Sequence, residues 1–135
     1  MGRVSSAHVL VVEDDVDFRW LLGTLLDAEP GVCVTGEAGD GEAAVALVLQ
    51  DTPSIVLMDL MMPHMDGLEA TRRIKRAAPA TKVVILSALP DEPYRRLAHD
   101  SGADVFLNKR DTVTALLPAI RGLTEGSDEA SELTR

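Results

Sequence analysis

The sequence predicts an α/β protein, a doubly wound parallel sheet of five strands alternating with five helices, (βα)5. Three observations carry that expectation. Short, uninterrupted apolar runs such as Ile55-Val56-Leu57-Met58 suit strands buried on both faces of a parallel sheet. Between these runs the apolar residues recur at helical spacing, with Gly and Pro at the junctions. The polar residues able to carry chemistry stand just after the apolar runs, at the carboxyl ends of strands, where open α/β sheets keep their sites.

His8 to Val12 reads as the first strand and stops at three acids, Glu13-Asp14-Asp15, the last of which belongs to the start of a helix. In that helix Phe18, Leu21, Leu22, Leu25 and Leu26 recur at helical spacing, flanked by Trp20, until Glu29-Pro30-Gly31 breaks it. A partly buried packing role is expected for Trp20. Val32 to Thr35 is the second strand, and Gly39-Asp40-Gly41 a turn. The helix from Ala43 to Leu49 puts Val45, Val48 and Leu49 on its apolar side. The third strand follows Pro53 and ends on Asp59, with Pro63 and Gly67 marking the loop beyond.

Asp66 is placed to cap a third helix, in which Leu68, Thr71 and Ile74 are periodic and Arg72, Arg73, Lys75 and Arg76 are solvated. Pro79 ends it. Val83 to Leu86 is the fourth strand, stopping at Ser87. Pro93 suits the first turn of a fourth helix running to about Asp100, where Gly102 ends it. Val105 to Leu107 is a short fifth strand ended by Asn108-Lys109, and Thr112 is expected to cap a last helix through Arg121. Residues 1–7 are then an N-terminal extension, 8–121 the folded domain, and 122–135, with four acids against one arginine, a flexible acidic tail or linker, the alternative being a weak amphipathic extension of the last helix.

The composition narrows the function classes. With 135 residues, 46% of them apolar and 26% charged, the chain makes one domain with one well-buried core. No apolar run approaches the roughly 20 residues of a membrane span, and Met1 to Ala7 lacks the apolar region of a secretory signal. The single cysteine, Cys33, excludes an intramolecular disulfide and fits a reducing, cytoplasmic setting; inside Val32-Cys33-Val34 it is expected to be a buried thiol. Thirteen basic against twenty-two acidic residues leave a net charge of −9, which argues against a nucleic-acid-binding surface on this chain.

Glu13 and Asp14 follow the first strand, Asp59 the third, Ser87 the fourth and Lys109 the fifth. One sheet edge therefore gathers residues nearly a hundred positions apart. Three carboxylates so gathered repel one another unless a cation lies between them. An all-oxygen set without His or Cys favours a hard divalent ion, of which Mg²⁺ is the usual one. Lys109 adds a point charge suited to a phosphoryl oxygen, and Ser87 a hydroxyl donor. An aspartate in such company is equipped to attack phosphorus.

With V-L-V-V-E-D-D at 9–15, D-L-M-M-P-H-M-D-G at 59–67, V-I-L-S-A at 84–88 and G-A-D-V-F-L-N-K at 102–109, the chain resembles the receiver domains of two-component response regulators, the CheY-like family, over about His8 to Arg121. The resemblance implies a flavodoxin-like fold and a role for each residue. Asp59 corresponds to the phosphoacceptor, Asp14 to the direct Mg²⁺ ligand and Glu13 to the acid that holds the ion through water. Met61 corresponds to the residue giving a backbone carbonyl to the metal. Ser87 takes the switch hydroxyl position, Lys109 that of the salt-bridging lysine, and the small Ala88 leaves room for the phosphoryl group. Phe106 occupies the aromatic switch position, where many relatives have Tyr. Arg110 stands where many have Pro, a departure commoner in receivers of LuxR-type transcription factors.

The resemblance further implies a sensor histidine kinase or phosphotransfer protein as donor, docking near the first helix, and a downstream effector protein or effector domain. It implies no separate substrate turnover; homodimerisation on phosphorylation, through the fourth-helix-to-last-helix face, is a separate hypothesis. Two rival readings stand beside it: a pseudo-receiver that only binds proteins, and an aspartate-nucleophile phosphatase. The second would carry another Asp two residues after the nucleophile, where this chain has Met61. His8, His64 and His99 show no ligand spacing, and Met58, Met61, Met62 and Met65 read as packing and loop residues.

Overall fold

The computed structural model describes residues 6–133, with side chains to Glu125. Its elements are β1 (Ala7–Val12), α1 (Val16–Asp27), β2 (Val32–Ala38), α2 (Gly41–Asp51), β3 (Ile55–Asp59), α3 (Gly67–Ala77), β4 (Lys82–Ser87), α4 (Asp91–Asp100), β5 (Val105–Asn108) and α5 (Thr112–Leu133). The five strands form one sheet in the order β2-β1-β3-β4-β5, every pair parallel. The chain leaves β1 in one direction and from β3 onward builds in the other. The topological switch point thus falls between β1 and β3, opening a crevice at their carboxyl ends.

Side-chain alternation along the strands divides the core in two. Val9, Val11, Ile55, Leu57, Val84 and Leu86 face one side, with Leu22 and Leu26 of α1 and Leu116 and Ile120 of α5. Leu10, Val12, Val56, Met58, Val83 and Ile85 face the other, with Ala44 and Val48 of α2, Ala70 and Ile74 of α3, and Ala98 of α4. All five residues of β3 are buried, so the apolar run before Asp59 is a central strand.

Several sequence expectations are corrected. Leu49 is exposed, because Gly41, Ala44 and Val48 make the inward stripe of α2 and Leu49 lies about 100° round from Val48. Cys33 is exposed: β2 is an edge strand that turns Val32 and Val34 toward the α1–α5 cluster and leaves Cys33, Thr35 and Glu37 alternating outward. Trp20 is 70% exposed, about 200° round α1 from the buried Leu22. Thr112 is already helical rather than a cap. A 3₁₀ turn, Lys109–Asp111, precedes it, capped by the Asn108 side chain accepting from Arg110 N, and the Thr112 hydroxyl donates to Lys109 O at 2.7 Å. Glu92 is extended (φ −110°, ψ 141°), so regular α4 begins at Pro93.

The last helix runs to Leu133, past the Arg121 end expected from the polar composition. Leu123 still packs on the core, and the Thr124 hydroxyl donates to Ile120 O and Arg121 O on the far side of Gly122. Arg121 itself makes a paired hydrogen bond to Glu29 at the end of α1, at 2.9 and 2.8 Å.

Lys75 is not part of a solvated face. Its ammonium donates to Pro79 O, Thr81 O and Asp104 Oδ2 at 3.2, 2.8 and 3.1 Å, and the same Asp104 oxygen accepts from Val83 N. One cation thereby ties the end of α3 to the starts of β4 and β5. Lys75→Met keeps the stem and removes the donors, leaving two carbonyls and a carboxylate short of a partner. The expected loss is about 1–2 kcal/mol in urea unfolding, against under about 0.5 kcal/mol for Arg76→Met on the exposed side of α3.

Candidate functional site

The crevice beyond β1 and β3 is built by main-chain restraints on both sides. Glu13 N donates to Ala38 O at 2.9 Å, which prolongs the β1–β2 ladder by one residue and draws the Glu13 side chain inside, where it is 1% exposed. Asp14 follows at the surface, and Asp15 caps α1 by accepting from Asp17 N and Phe18 N. Across the crevice, Leu60 N donates to Leu86 O and Gly67 N to Leu60 O, fixing the main chain directly after Asp59. The Gly67 approach is so close that a Cβ there would overlap the Asp59 carbonyl oxygen.

Asp59 is 4% exposed. The Lys109 ammonium lies 3.3 Å from Asp59 Oδ1 and 2.9 Å from Glu13 Oε1, so the end of β5 and the two acidic strand ends meet at one cation. One oxygen each of Glu13, Asp14 and Asp59 fall within 4.8 Å of one another. Burial, and then the negative charge of Glu13, push the Asp59 carboxyl up to about 7, with Lys109 opposing. Burial lowers the Lys109 pKa, but its contacts with Glu13 and Asp59 outweigh that and hold it above the ordinary lysine value.

Three carboxylates against one ammonium leave an excess of negative charge in a half-closed crevice. Glu13 Oε1, fully buried, makes no directional hydrogen bond and is met only by the Lys109 charge. An all-oxygen cluster with more carboxylates than cations fits a hard divalent cation such as Mg²⁺.

The remaining expected site residues surround this centre. Ser87, 1% exposed, holds its Oγ within its own loop, accepting from Leu89 N at 3.0 Å. Ala88 is exposed, and Met61 is 60% exposed. Phe106 is turned inward, 8% exposed, with the Arg95 guanidinium of α4 over its ring at 4.9 Å. His8, His64 and His99 are all exposed.

Three neighbours escaped sequence reasoning. The Phe18 ring lies against Lys109, 4.5 Å from centroid to Nζ. Arg19 Nη1 donates to Glu13 O at 2.9 Å, bracing the acidic turn from α1. Asn108 Nδ2 donates to Leu89 O and to Asp91 Oδ1, joining the loop after Ser87 to the one after β5. Phe18 carries a weak signal, since it opens the apolar stripe of α1 nearest the acids; the other two carry none.

Residues 9–121 match the family model of the response regulator receiver domain. The transcriptional regulatory protein LiaR of Bacillus subtilis is 35% identical over 119 residues, covering 88% of this chain and 56% of that protein. PdtaR of Mycobacterium tuberculosis is 40% identical over 115 residues, covering 84% of this chain and 54% of that one. The chain thus spans about half the length of these relatives. Among solved structures, a LuxR-family response regulator from Aurantimonas superposes with a TM-score of 0.86 at 31% identity, covering 90% of this chain and 87% of that one. The response regulator domain of Thermotoga maritima CheB superposes with a TM-score of 0.82 at 30% identity, covering 89% and 97%. With the sheet order, the acidic crevice and the matched span in agreement, the chain belongs to the receiver-domain family of two-component response regulators.

Proposed function

We propose that this chain is a phosphorylation switch in which Asp59 takes a phosphoryl group from the phosphohistidine of a sensor histidine kinase or phosphotransfer protein. The observation that carries the reading is the meeting of buried Asp59, Glu13 and Lys109 at the crevice between β1 and β3. An Asp59 oxygen attacks phosphorus in line. The new O–P bond forms as the P–N bond breaks, and the imidazole leaves with the electron pair. Lys109 is already within reach of Asp59 Oδ1 and neutralises charge on the transferred group.

Asp14 would hold Mg²⁺ directly, Glu13 through water and Met61 through its carbonyl. The ion would supply charge neutralisation on the phosphoryl oxygens when bound. A phosphoryl group carries about −2 charge and attracts the Ser87 hydroxyl. Ser87 Oγ accepts from Leu89 N, so its own O–H is free to donate to that group, and a turn of the side chain toward it would pull on the β4–α4 loop and the Asn108 link to it. Phe106, packed under Arg95, is the ring placed to follow into the vacated space. The altered surface of α4, β5 and α5 would then meet a downstream effector protein or effector domain, or a second copy of the chain.

The donor protein would dock on α1, where Val16 and Trp20 are 64% and 70% exposed. The role is that of a phosphoacceptor, with no separate substrate turned over.

Intact mass after incubation with acetyl phosphate tests the reading. Wild type should gain one phosphoryl adduct in the presence of Mg²⁺, and Asp59→Asn none. An equal adduct on the Asn variant would move the acceptor elsewhere. Wild type without an adduct, also inert toward kinases, would leave the pseudo-receiver reading.

A further inference from the structure

Lys109 reaches the site on a flexible four-carbon stem. Two carboxylates take two sides of its ammonium, Glu13 Oε1 at 2.9 Å and Asp59 Oδ1 at 3.3 Å. These two ion pairs hold the ammonium at the crevice, and its remaining contacts decide how far water reaches it. The Phe18 ring lies over the same nitrogen, with its centroid at 4.5 Å. That is within the range at which the negative face of an aromatic ring attracts a cation. Phe18 lies half-buried in the first turn of α1, three residues after Asp15, and its N–H donates to the Asp15 cap, which follows Glu13 and Asp14 in the same loop.

We propose that Phe18 is a positioning residue, whose ring holds the Lys109 ammonium against Asp59 and shields it from water. The inference rests on the phosphoacceptor role proposed for Asp59. It extends that reading to α1: the helix that presents Val16 and Trp20 outward also carries, on its inner side, the ring against the lysine. A partner that shifts α1 would therefore shift the lysine. Arg19 braces the same turn through Glu13 O, which ties the helix start to the acids.

Phe18 also packs with the cluster under α1, and the test must separate that from its effect on Lys109. Phe18→Leu keeps apolar bulk and removes the ring; Phe18→Tyr keeps the ring face. With acetyl phosphate as the donor, Phe18→Leu should slow adduct formation about 3- to 10-fold and Phe18→Tyr less than about twofold, in keeping with the modest strength of a partly desolvated cation–ring contact. The second readout needs no phosphate. In wild type the Lys109 ε-methylene protons should be shifted upfield by the ring, and the shift should persist in the Tyr variant and vanish in the Leu variant.

Wild type without the upfield shift overturns the inference whatever the variants do. So does a Leu variant that labels at the wild-type rate, or a Tyr variant as slow as the Leu one. A wild type that never accepts phosphate overturns the receiver reading and this inference together, whereas a reactive wild type with an equally reactive Leu variant overturns this inference alone.

Discussion

Millimolar Mg²⁺ should raise the melting temperature of this chain by several degrees at pH 8 and by little at pH 5, and Asp59→Asn should abolish the difference. Without a cation the folded protein holds the Asp59 proton up to about pH 7, against 3.8 for an ordinary aspartate, because the carboxyl is buried beside Glu13. Between those two values the unfolded chain binds fewer protons than the folded one, so stability falls as pH rises, and it levels off above the folded value. The full shift would correspond to about 1.4 kcal/mol per unit. Relaxation and water reaching the crevice reduce it, and the expected loss is on the order of 2 kcal/mol.

The carboxylates lowered in the folded state act in the opposite sense but elsewhere. Arg121 holds Glu29 below its ordinary 4.5, and Arg73 and Arg72 hold Glu69 below the same value, so both add stability as pH rises in the acid range below about 5. Neither acts between pH 5 and 8, the interval over which the raised Asp59 carboxyl titrates. Asp59→Asn removes the titrating group, and should be the more stable protein at pH 8 in chelator while being indifferent to Mg²⁺. Thermal unfolding followed by circular dichroism, with EDTA or Mg²⁺ at pH 5 and 8, reads all of this. A wild-type profile flat from pH 5 to 8, with no Mg²⁺ response, would contradict it.

Gly67→Ala should cost about 3 kcal/mol, among the largest effects available to a one-methyl change in this molecule. The added carbon would overlap the Asp59 carbonyl oxygen and stand 3.0 Å from Leu60 Cα and 3.1 Å from Met58 Cγ. Two of those three obstacles are main chain, locked by Gly67 N to Leu60 O on one side and Leu60 N to Leu86 O on the other. Relief therefore means displacing Asp59 itself, and phosphoryl uptake should fall along with stability. Gly23→Ala is the contrast. A Cβ there meets nothing within 4 Å, and the change should add up to about 1 kcal/mol to α1. Equal urea midpoints for Gly67→Ala and wild type would show that the loop can yield where the packing says it cannot.

Much of this site could be read before the fold was seen, because a strand buried on both faces announces itself as an apolar run and its end is therefore visible. Glu13, Asp59, Ser87 and Lys109 are all legible as residues that interrupt such runs. What stayed hidden depends on where elements lie laterally. Cys33 sits in an apolar run like the others, but chain order does not say that β2 is an edge strand with one open face. Lys75 looks like one of four solvated cations until Asp104, 29 residues on, is brought to it. Phe18 reads as the first core residue of a helix, and only the return of β5 beside β4, and of α5 against α1, makes it a neighbour of Lys109. The length of α5 was missed for a different reason: polar composition argues for a tail, while Leu123 and the Thr124 hydroxyl bonds carry the helix onward.

The outward setting of Trp20 has an optical consequence. It is the chain's single tryptophan, and 70% of it already faces solvent. Its emission in the folded state should lie close to that of the unfolded chain, so denaturation should be nearly silent in indole fluorescence. A protein seated on α1 would instead dry the ring and shift its emission to the blue. The molecule thus carries an intrinsic dye that ignores its own unfolding and responds to company.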